Sequence, residues 1–144
     1  MCGIFGYVGN KEAKDKIITG LKRLEYRGYD SFGVAILNKN VKQPKIEADK
    51  KVGAISESKA SLKSMKVTIG IGHTRWATHG KVSKLNAHPH YSTKLDFTLA
   101  QNGIVENFLE LKDNLSKKGY QFYTQTDTEV IVRLIEDKFK EGAE

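Results

Sequence analysis

The chain opens Met1-Cys2-Gly3-Ile4-Phe5-Gly6-Tyr7-Val8, and its reading as a fold starts here. Ile4-Phe5 and Tyr7-Val8, spaced by small glycines, describe a buried strand that would fix Cys2 at its end. Cys2 is the only cysteine in the chain. With Met1 removed, which the small Cys2 side chain permits, one residue carries both a thiol and a free α-amine. An N-terminal amine within reach of its own nucleophile serves as the activating base. An α-amine of pKa about 7.7–8.0 is partly neutral at pH 7, whereas a thiol near about 8.5 is only a few per cent thiolate, so a local base matters. With Met1 attached, the amine is locked in a peptide bond and this chemistry is closed. On the dipeptide alone a second reading stands beside it: a free cysteine packed as a small apolar group.

At 144 residues the chain has the size of one ordinary domain with room for a core. No apolar run approaches the ~20 residues that a membrane helix needs, and the start lacks the basic and apolar regions of a signal peptide. A single cysteine excludes an internal disulfide framework and fits a reducing compartment, so a cytoplasmic protein is expected. The net charge of +7 raises nucleic acid as a partner, but only four residues are arginine, Arg23, Arg27, Arg75 and Arg133. A lysine-rich charge is poor material for bidentate readout of bases or phosphates. The charge reads as a solvated surface, with neither nucleic acid nor membrane expected as a partner.

Outward from the first strand, Ala13, Ile17, Leu21 and Leu24 recur at helical spacing, predicting a helix over 10–24 with Asn10 as N-cap. Arg27-Gly28-Tyr29-Asp30-Ser31 breaks that pattern. Phe32–Leu37 is continuously apolar, as suits a strand covered on both faces. A polar hairpin follows, its return strand holding Ile46 and Ala48. A short helix is expected over 56–65, carrying Leu62 and Met65. Val67, Ile69, Ile71 and His73 alternate with small residues, and Leu95, Phe97 and Leu99 alternate in a second period-2 strand. Two helices follow. One spans 107–118 with Asn107 and Glu110 as a capping pair and Phe108, Leu111 and Leu115 on one face. The other begins at Thr126-Asp127-Thr128-Glu129, a capping-box spacing, and buries Val130, Ile131, Leu134 and Ile135. The class is α+β, helices covering antiparallel strands.

Asn102-Gly103 is a strong hairpin signal, with Ile104-Val105 as the return strand. It is equally a place to aim an amide and a backbone N–H at a developing oxyanion, and the two readings are compatible. His73-Thr74-Arg75-Trp76-Ala77-Thr78-His79-Gly80 gathers polar groups and the only tryptophan past a strand end, where binding residues concentrate. Arg75 can hold a carboxylate bidentately, Trp76 can form an apolar lid, and His73 reads as a core residue. Asn86-Ala87-His88-Pro89-His90, with His79 and Cys2, offers zinc-ligand types but no zinc spacing, so no metal is expected. Asp127 reads as a helix N-terminal acid or as the partner of a ligand's ammonium group.

Together, these stretches and Leu24-Glu25-Tyr26-Arg27-Gly28-Tyr29-Asp30-Ser31, Asn102-Gly103-Ile104-Val105-Glu106-Asn107 and Thr126-Asp127-Thr128-Glu129-Val130 resemble the glutaminase domain of the glucosamine-6-phosphate synthases (glutamine–fructose-6-phosphate aminotransferases). Those are class II, N-terminal-nucleophile glutamine amidotransferases. The Cys-Gly-Ile start alone is shared with asparagine synthetases and phosphoribosyl-pyrophosphate amidotransferases. The Leu-Glu-Tyr-Arg-Gly-Tyr-Asp and Thr-Arg-Trp-Ala-Thr-His stretches are more specific to the aminosugar enzymes.

The resemblance implies a four-layer α/β/β/α sandwich and no cofactor. It implies that Cys2 attacks the side-chain amide of L-glutamine with its own α-amine as base, that Asn102 and Gly103 hold the oxyanion, and that water hydrolyses the thioester. Arg75 takes the glutamine α-carboxylate and Asp127 its α-ammonium. Thr78 and His79 complete the pocket, Trp76 stands at the ammonia exit, and Arg27 orders the nucleophile's end. Gln101 departs from the histidine expected before the Asn-Gly pair. The family's glutaminase domain runs on past Glu144 and is normally followed by a sugar isomerase domain that binds fructose 6-phosphate. Residues 1–144 are therefore expected to be the N-terminal portion of the domain, incomplete at the C-terminus, lacking the isomerase partner and prone to self-association as a homo-oligomer. The competing expectations are an inactive or precursor fragment, or a non-catalytic lysine-rich binding module of the same fold.

Overall fold

The computed structural model describes residues 2–39, 41–57, 61–62, 66–78 and 80–142. The roles foreseen for Met1, Met65 and His79 lie outside the described residues, as does most of the helix expected over 56–65. Of that stretch Ser56 and Glu57 lie in a turn, and Ser61 and Leu62 are irregular.

A four-stranded antiparallel sheet takes the order β1-β4-β2-β3, from Gly3–Val8, Ser31–Asn38, Lys45–Val52 and Ile69–Arg75. The register decides what each face carries. Phe32, Val34 and Ile36 stand opposite Thr74, Gly72 and Gly70, so one face is a row of large side chains beside a row of small ones. Helix α1, Ala13–Leu24, lies on that face with Ala13, Ile17 and Leu21 fully buried. A Cβ on Gly72 would meet Ile17 Cγ2 at 2.5 Å and Leu21 Cδ1 at 2.7 Å. The glycine row is what lets α1 approach the strand that carries the site. Together these residues form the main apolar cluster, joined by Ile55, Leu62 and Val67.

The opposite face presents Ile71, His73 and Arg75 of β4, which pair with Ala35, Gly33 and Ser31 of β2. A second layer covers it: the short pair β5, His90–Tyr91, and β6, Thr98–Leu99. The close approach is set at Gly33, where a Cβ would come within 2.1 Å of the His88 carbonyl oxygen. His73 and His88 then stack across the layers at 4.2 Å, and Lys50 of β3 lies 4.8 Å over the Tyr91 ring. Helices α2, Phe108–Lys117, and α3, Thr128–Lys140, close the far side, with α3 against β5. The result is α+β, in the order helix, sheet, sheet, helices, as the sandwich expectation requires. The His88–Pro89 peptide is cis.

Several local expectations are corrected. Asn10 does not cap α1; the helix starts at Ala13, whose N–H goes to Val67 O at 2.6 Å, and the cap position is Glu12 without a side-chain bond. A tertiary acceptor replaces the local one. Asn107 makes no side-chain cap bond. The Thr126–Glu129 capping box does not form, because Glu129 instead accepts the Tyr123 and Thr124 N–H groups and pairs with Arg133. The strand expected from Leu95 shrinks to Thr98–Leu99, since Ser92 Oγ takes the Asp96 and Phe97 N–H groups and Leu95 turns at φ 60°. Asn102-Gly103 makes no hairpin; Ile104 and Val105 are not strand, and the chain passes directly into α2.

Candidate active site

The site lies where β1 and β4 end, because antiparallel pairing of Gly3 with Thr74 brings Cys2 beside the residues that follow β4. The Trp76 N–H points at Cys2 Sγ (3.4 Å), and the thiol lies 3.7 Å from the Trp76 carbonyl. From the other side Asn102 Nδ2 donates to the Cys2 carbonyl at 3.3 Å. The strand-end turn is thus gripped at its sulfur and at its backbone.

One cavity of about 290 Å³ is lined by Cys2, Arg75, Trp76, Thr78, Asn102, Gly103 and Asp127, joined by His88, Gln101, Ile104, Thr126 and Thr128. It brings together the residues singled out in the sequence except two. His79 lies outside the described residues, and Arg27 is not in the cavity wall. Arg27 belongs to a single 3-10 turn, Glu25–Arg27, whose following residues brace the site from behind. A Cβ on Gly28 would strike the Arg75 carbonyl carbon at 2.7 Å. Asp30 donates its N–H to Arg75 O at 3.2 Å and accepts the Ala77 N–H through Oδ2. The Tyr-Arg-Gly-Tyr-Asp stretch therefore shapes the Arg75–Ala77 backbone, a function its turn-forming composition did not disclose.

Two fixed charges face the cavity. Arg75 is 3% exposed and donates to Gly80 O (3.2 Å) and Lys81 O (3.4 Å), so its guanidinium plane is set by backbone. Burial disfavours its charge, while Asp30, Cys2 and Asp127 lie close enough to favour it. Asp127 is 4% exposed and accepts the Val105 N–H at 2.7 Å. It sits at the start of α3, where the helix macrodipole stabilises an anion. A cavity holding one cation and one anion is complementary to a zwitterion. Trp76 is 46% exposed at the rim, edge-on to Tyr29 at 5.1 Å.

Behind the cavity lies a cluster that sequence reasoning missed. His73, His88 and His90 form a contiguous stack, all nearly or fully buried. Burial pushes the His73 imidazole down to about 4, and burial with neighbouring positive charge pushes His88 and His90 lower still. All three are neutral at pH 7. Their tautomers follow from their partners: His73 Nε2–H donates to Gln101 O at 3.1 Å, and His88 Nδ1 accepts the Gln101 N–H at 3.3 Å. His88-Pro89-His90 offered zinc-ligand types without zinc spacing, and in the fold His73 Nε2 and His88 Nδ1 are engaged by the Gln101 backbone. Among the described residues no group of three or more His, Cys, Asp or Glu side chains is placed so that it could hold a metal ion.

The comparisons with known proteins agree with this geometry. The chain is 49% identical over 142 residues to the glutamine–fructose-6-phosphate aminotransferase (isomerizing) of Clostridium perfringens, a match covering 97% of this chain and 23% of that protein. It is 49% identical over 144 residues to the enzyme of the same name from Methanococcus maripaludis, covering 100% and 24%. The chain thus spans less than a quarter of the length of these relatives. Among solved structures it superposes on the glutamine phosphoribosylpyrophosphate amidotransferase of B. subtilis with a TM-score of 0.76 and 31% identity, covering 94% of this chain and 29% of that one. A structure described as the allosteric regulatory enzyme of purine biosynthesis gives 0.79 and 32%, with the same coverage. Residues 56–143 match the family described as "Glutamine amidotransferase domain", and the chain belongs to that family.

Proposed function

We propose that this chain hydrolyses L-glutamine to glutamate and ammonia through a thioester on Cys2. The observation that carries the reading is the single cavity in which the Cys2 thiol, the Asn102–Gly103 corner, Arg75 and Asp127 meet. After removal of Met1, the α-amine of Cys2 accepts the thiol proton. Sulfur bonds to the glutamine δ-carbon, and the carbonyl oxygen takes the negative charge facing Asn102 Nδ2 and the Gly103 N–H. The amine returns the proton to the departing nitrogen, the C–N bond breaks, and ammonia leaves. Water then attacks the thioester, and the C–S bond breaks to give glutamate and the free thiol. Preorganised donors of this kind are worth about 10²- to 10³-fold in turnover each.

Arg75 binds the α-carboxylate and Asp127 the α-ammonium, with Thr78 and His79 completing the pocket and Trp76 at the exit for ammonia. Arg27 acts from behind, through the turn that supports Arg75 and Trp76. In the longer protein of which relatives provide the pattern, the ammonia passes to fructose 6-phosphate in a sugar isomerase domain to give glucosamine 6-phosphate. The proposed setting is the cytoplasm, where a lone thiol nucleophile stays reduced. The test is glutamate release from glutamine by the wild-type chain and by Cys2→Ala, with the mature N-terminus identified by mass. Release that depends on Cys2 and on loss of Met1 is expected. Equal release by the variant overturns the nucleophile.

A further inference from the structure

Gln101 lines the cavity immediately before the Asn102–Gly103 corner, and its carbonyl, its N–H and its side-chain oxygen are each hydrogen-bonded to the fold. Its carbonyl accepts from His73 Nε2 at 3.1 Å, its N–H donates to His88 Nδ1 at 3.3 Å, and its side-chain Oε1 accepts from Thr128 Oγ1 at 3.0 Å. These bonds matter because the corner has no strand to hold it: residues 100–107 pair with no β-element. The side chain also supports the corner directly. A Cβ built on Gly103 would stand 3.0 Å from Gln101 Nε2, so the carboxamide fills the space beside Gly103 that a side chain there would take. Thr128 opens α3 one residue after Asp127.

We propose that Gln101 is the positioning residue of the Asn102–Gly103 corner, and that the Thr128 hydroxyl latches it to the helix start that carries Asp127. The inference rests on the proposed glutamine hydrolysis and adds to it the means by which this chain sets the oxyanion donors. His73 and His88 fix the Gln101 backbone from the β-layers, and Thr128 fixes the side chain from α3. The donors that face the developing oxyanion and the carboxylate that faces the ammonium thereby belong to one rigid unit. Removing the latch leaves both groups present but lets the corner drift. A drifting corner weakens the transition state more than the ground state.

The experiment uses the 144-residue chain and the variants Gln101→Ala, Thr128→Val and Thr128→Ser. Three quantities are read: kcat and KM for glutamate release, affinity for glutamate, and affinity for the aldehyde analogue of glutamine. The adduct of that aldehyde with Cys2 places an oxygen where the oxyanion forms. Gln101→Ala and Thr128→Val are expected to lower kcat about 10- to 100-fold and to weaken the aldehyde by a similar factor. Glutamate affinity and KM should change less than about threefold, and Thr128→Ser should restore most of the activity. The double variant should be no worse than the poorer single one, because both cut the same connection. Wild-type release that depends on Cys2, with unaltered kcat and aldehyde affinity in both variants, overturns this inference and leaves the function standing. A parallel loss of glutamate affinity also overturns it, since that marks general damage. A wild-type chain without Cys2-dependent release overturns the function and this inference with it.

Discussion

Asn86 and Gln125 are joined by two hydrogen bonds. Asn86 Nδ2 donates to Gln125 Oε1 at 3.0 Å, and the Gln125 N–H donates to Asn86 Oδ1 at 2.9 Å. Asn86 Nδ2 also reaches Lys81 O at 2.9 Å, a carbonyl that accepts from the Arg75 guanidinium. On the other side, Gln125 lies two residues before Asp127. A buried amide, 2% exposed, therefore links the backbone that holds the cavity's cation to the segment that leads to its anion, beside a direct bond from the Lys81 N–H to Gln125 Oε1 at 3.3 Å.

Asn86→Ala removes that link and leaves the Gln125 N–H without its partner, while the Lys81 carbonyl keeps only Arg75 Nη1. Each unsatisfied buried group costs about 1–3 kcal/mol. The expected outcome is a fall in unfolding free energy of about 1–3 kcal/mol together with a rise in KM for glutamine of about tenfold. Urea titration followed by steady-state glutamate release checks both. An unchanged KM in a folded variant would show that the two charges are spaced by something else.

Asp127 has two tasks that one substitution separates. In Asp127→Asn the side-chain oxygen can still accept the Val105 N–H, so the segment after Gly103 keeps its anchor while the negative charge is lost. A charge-assisted bond is worth about 1.5–3 kcal/mol, so KM should rise about 10- to 100-fold with kcat nearly preserved. Asp127→Ala also frees Val105 and should lower kcat as well. If both variants shift kcat and KM alike, the carboxylate is an anchor only.

Arg133 carries no proposed role in chemistry and tests the far layer of the fold. It is 3% exposed, and its guanidinium meets Glu129 at 3.0 Å, Glu136 at 2.7 Å, Thr93 Oγ1 at 3.1 Å and the Gln121 carbonyl at 3.0 Å. Removing one partner of a buried pair strands the other charges, at a cost of about 3–5 kcal/mol. Arg133→Ala should lose that much in denaturant unfolding. Replacing Arg133, Glu129 and Glu136 together by apolar residues should recover part of it, because no stranded charge remains.

The parts of this molecule that follow from local pattern were legible in its sequence. The period-2 run ending at His73, the apolar stripe of α1 and the continuous strand Phe32–Leu37 all stand where their spacing put them, because burial of a stripe or a face is what makes each element. The candidate site residues were legible for a different reason: thiol, amide, cation and anion types are scarce and point to chemistry. What was hidden are pairings across layers. Asn10, Asn107 and Thr126 all carry capping chemistry, yet the Val67 carbonyl takes the N–H that Asn10 would have satisfied, the Thr126 hydroxyl meets His90 and Thr124 instead, and Asn107 makes no cap bond. His73 read as core, and His88 and His90 as ligand types without metal spacing, because nothing in a linear chain shows that the Gln101 backbone bonds two of the three. Asn102-Gly103 signalled a hairpin, and the register of β5 with β6 left it no return strand.

The buried histidines make stability depend on acid in a definite direction. In the unfolded chain a histidine titrates near about 6.5, whereas in the fold burial holds His73 at about 4 and pushes His88 and His90 lower. Between these values the unfolded state binds protons that the native state refuses, so unfolding takes up protons and stability rises with pH. Each such histidine contributes fully above pH 6.5 and loses its contribution as pH falls towards the folded value. For His73 alone that difference is worth about 3 kcal/mol, and three histidines together steepen the slope to at most about 4 kcal/mol per pH unit near pH 5. A domain at the lower end of ordinary stability, about 5 kcal/mol, should therefore unfold cooperatively above pH 4. Lys50 acts in another range. Burial lowers it to about 8, so its share of stability rises from pH 8 to 10.5 and is constant at neutrality. Urea midpoints at pH 7.5, 6.5, 5.5 and 4.5 should be level for the first pair and fall steeply through the rest. Substituting His90 by Gln, which can still meet Thr126 Oγ1 where His90 Nε2 does at 2.9 Å, should remove about a third of that slope.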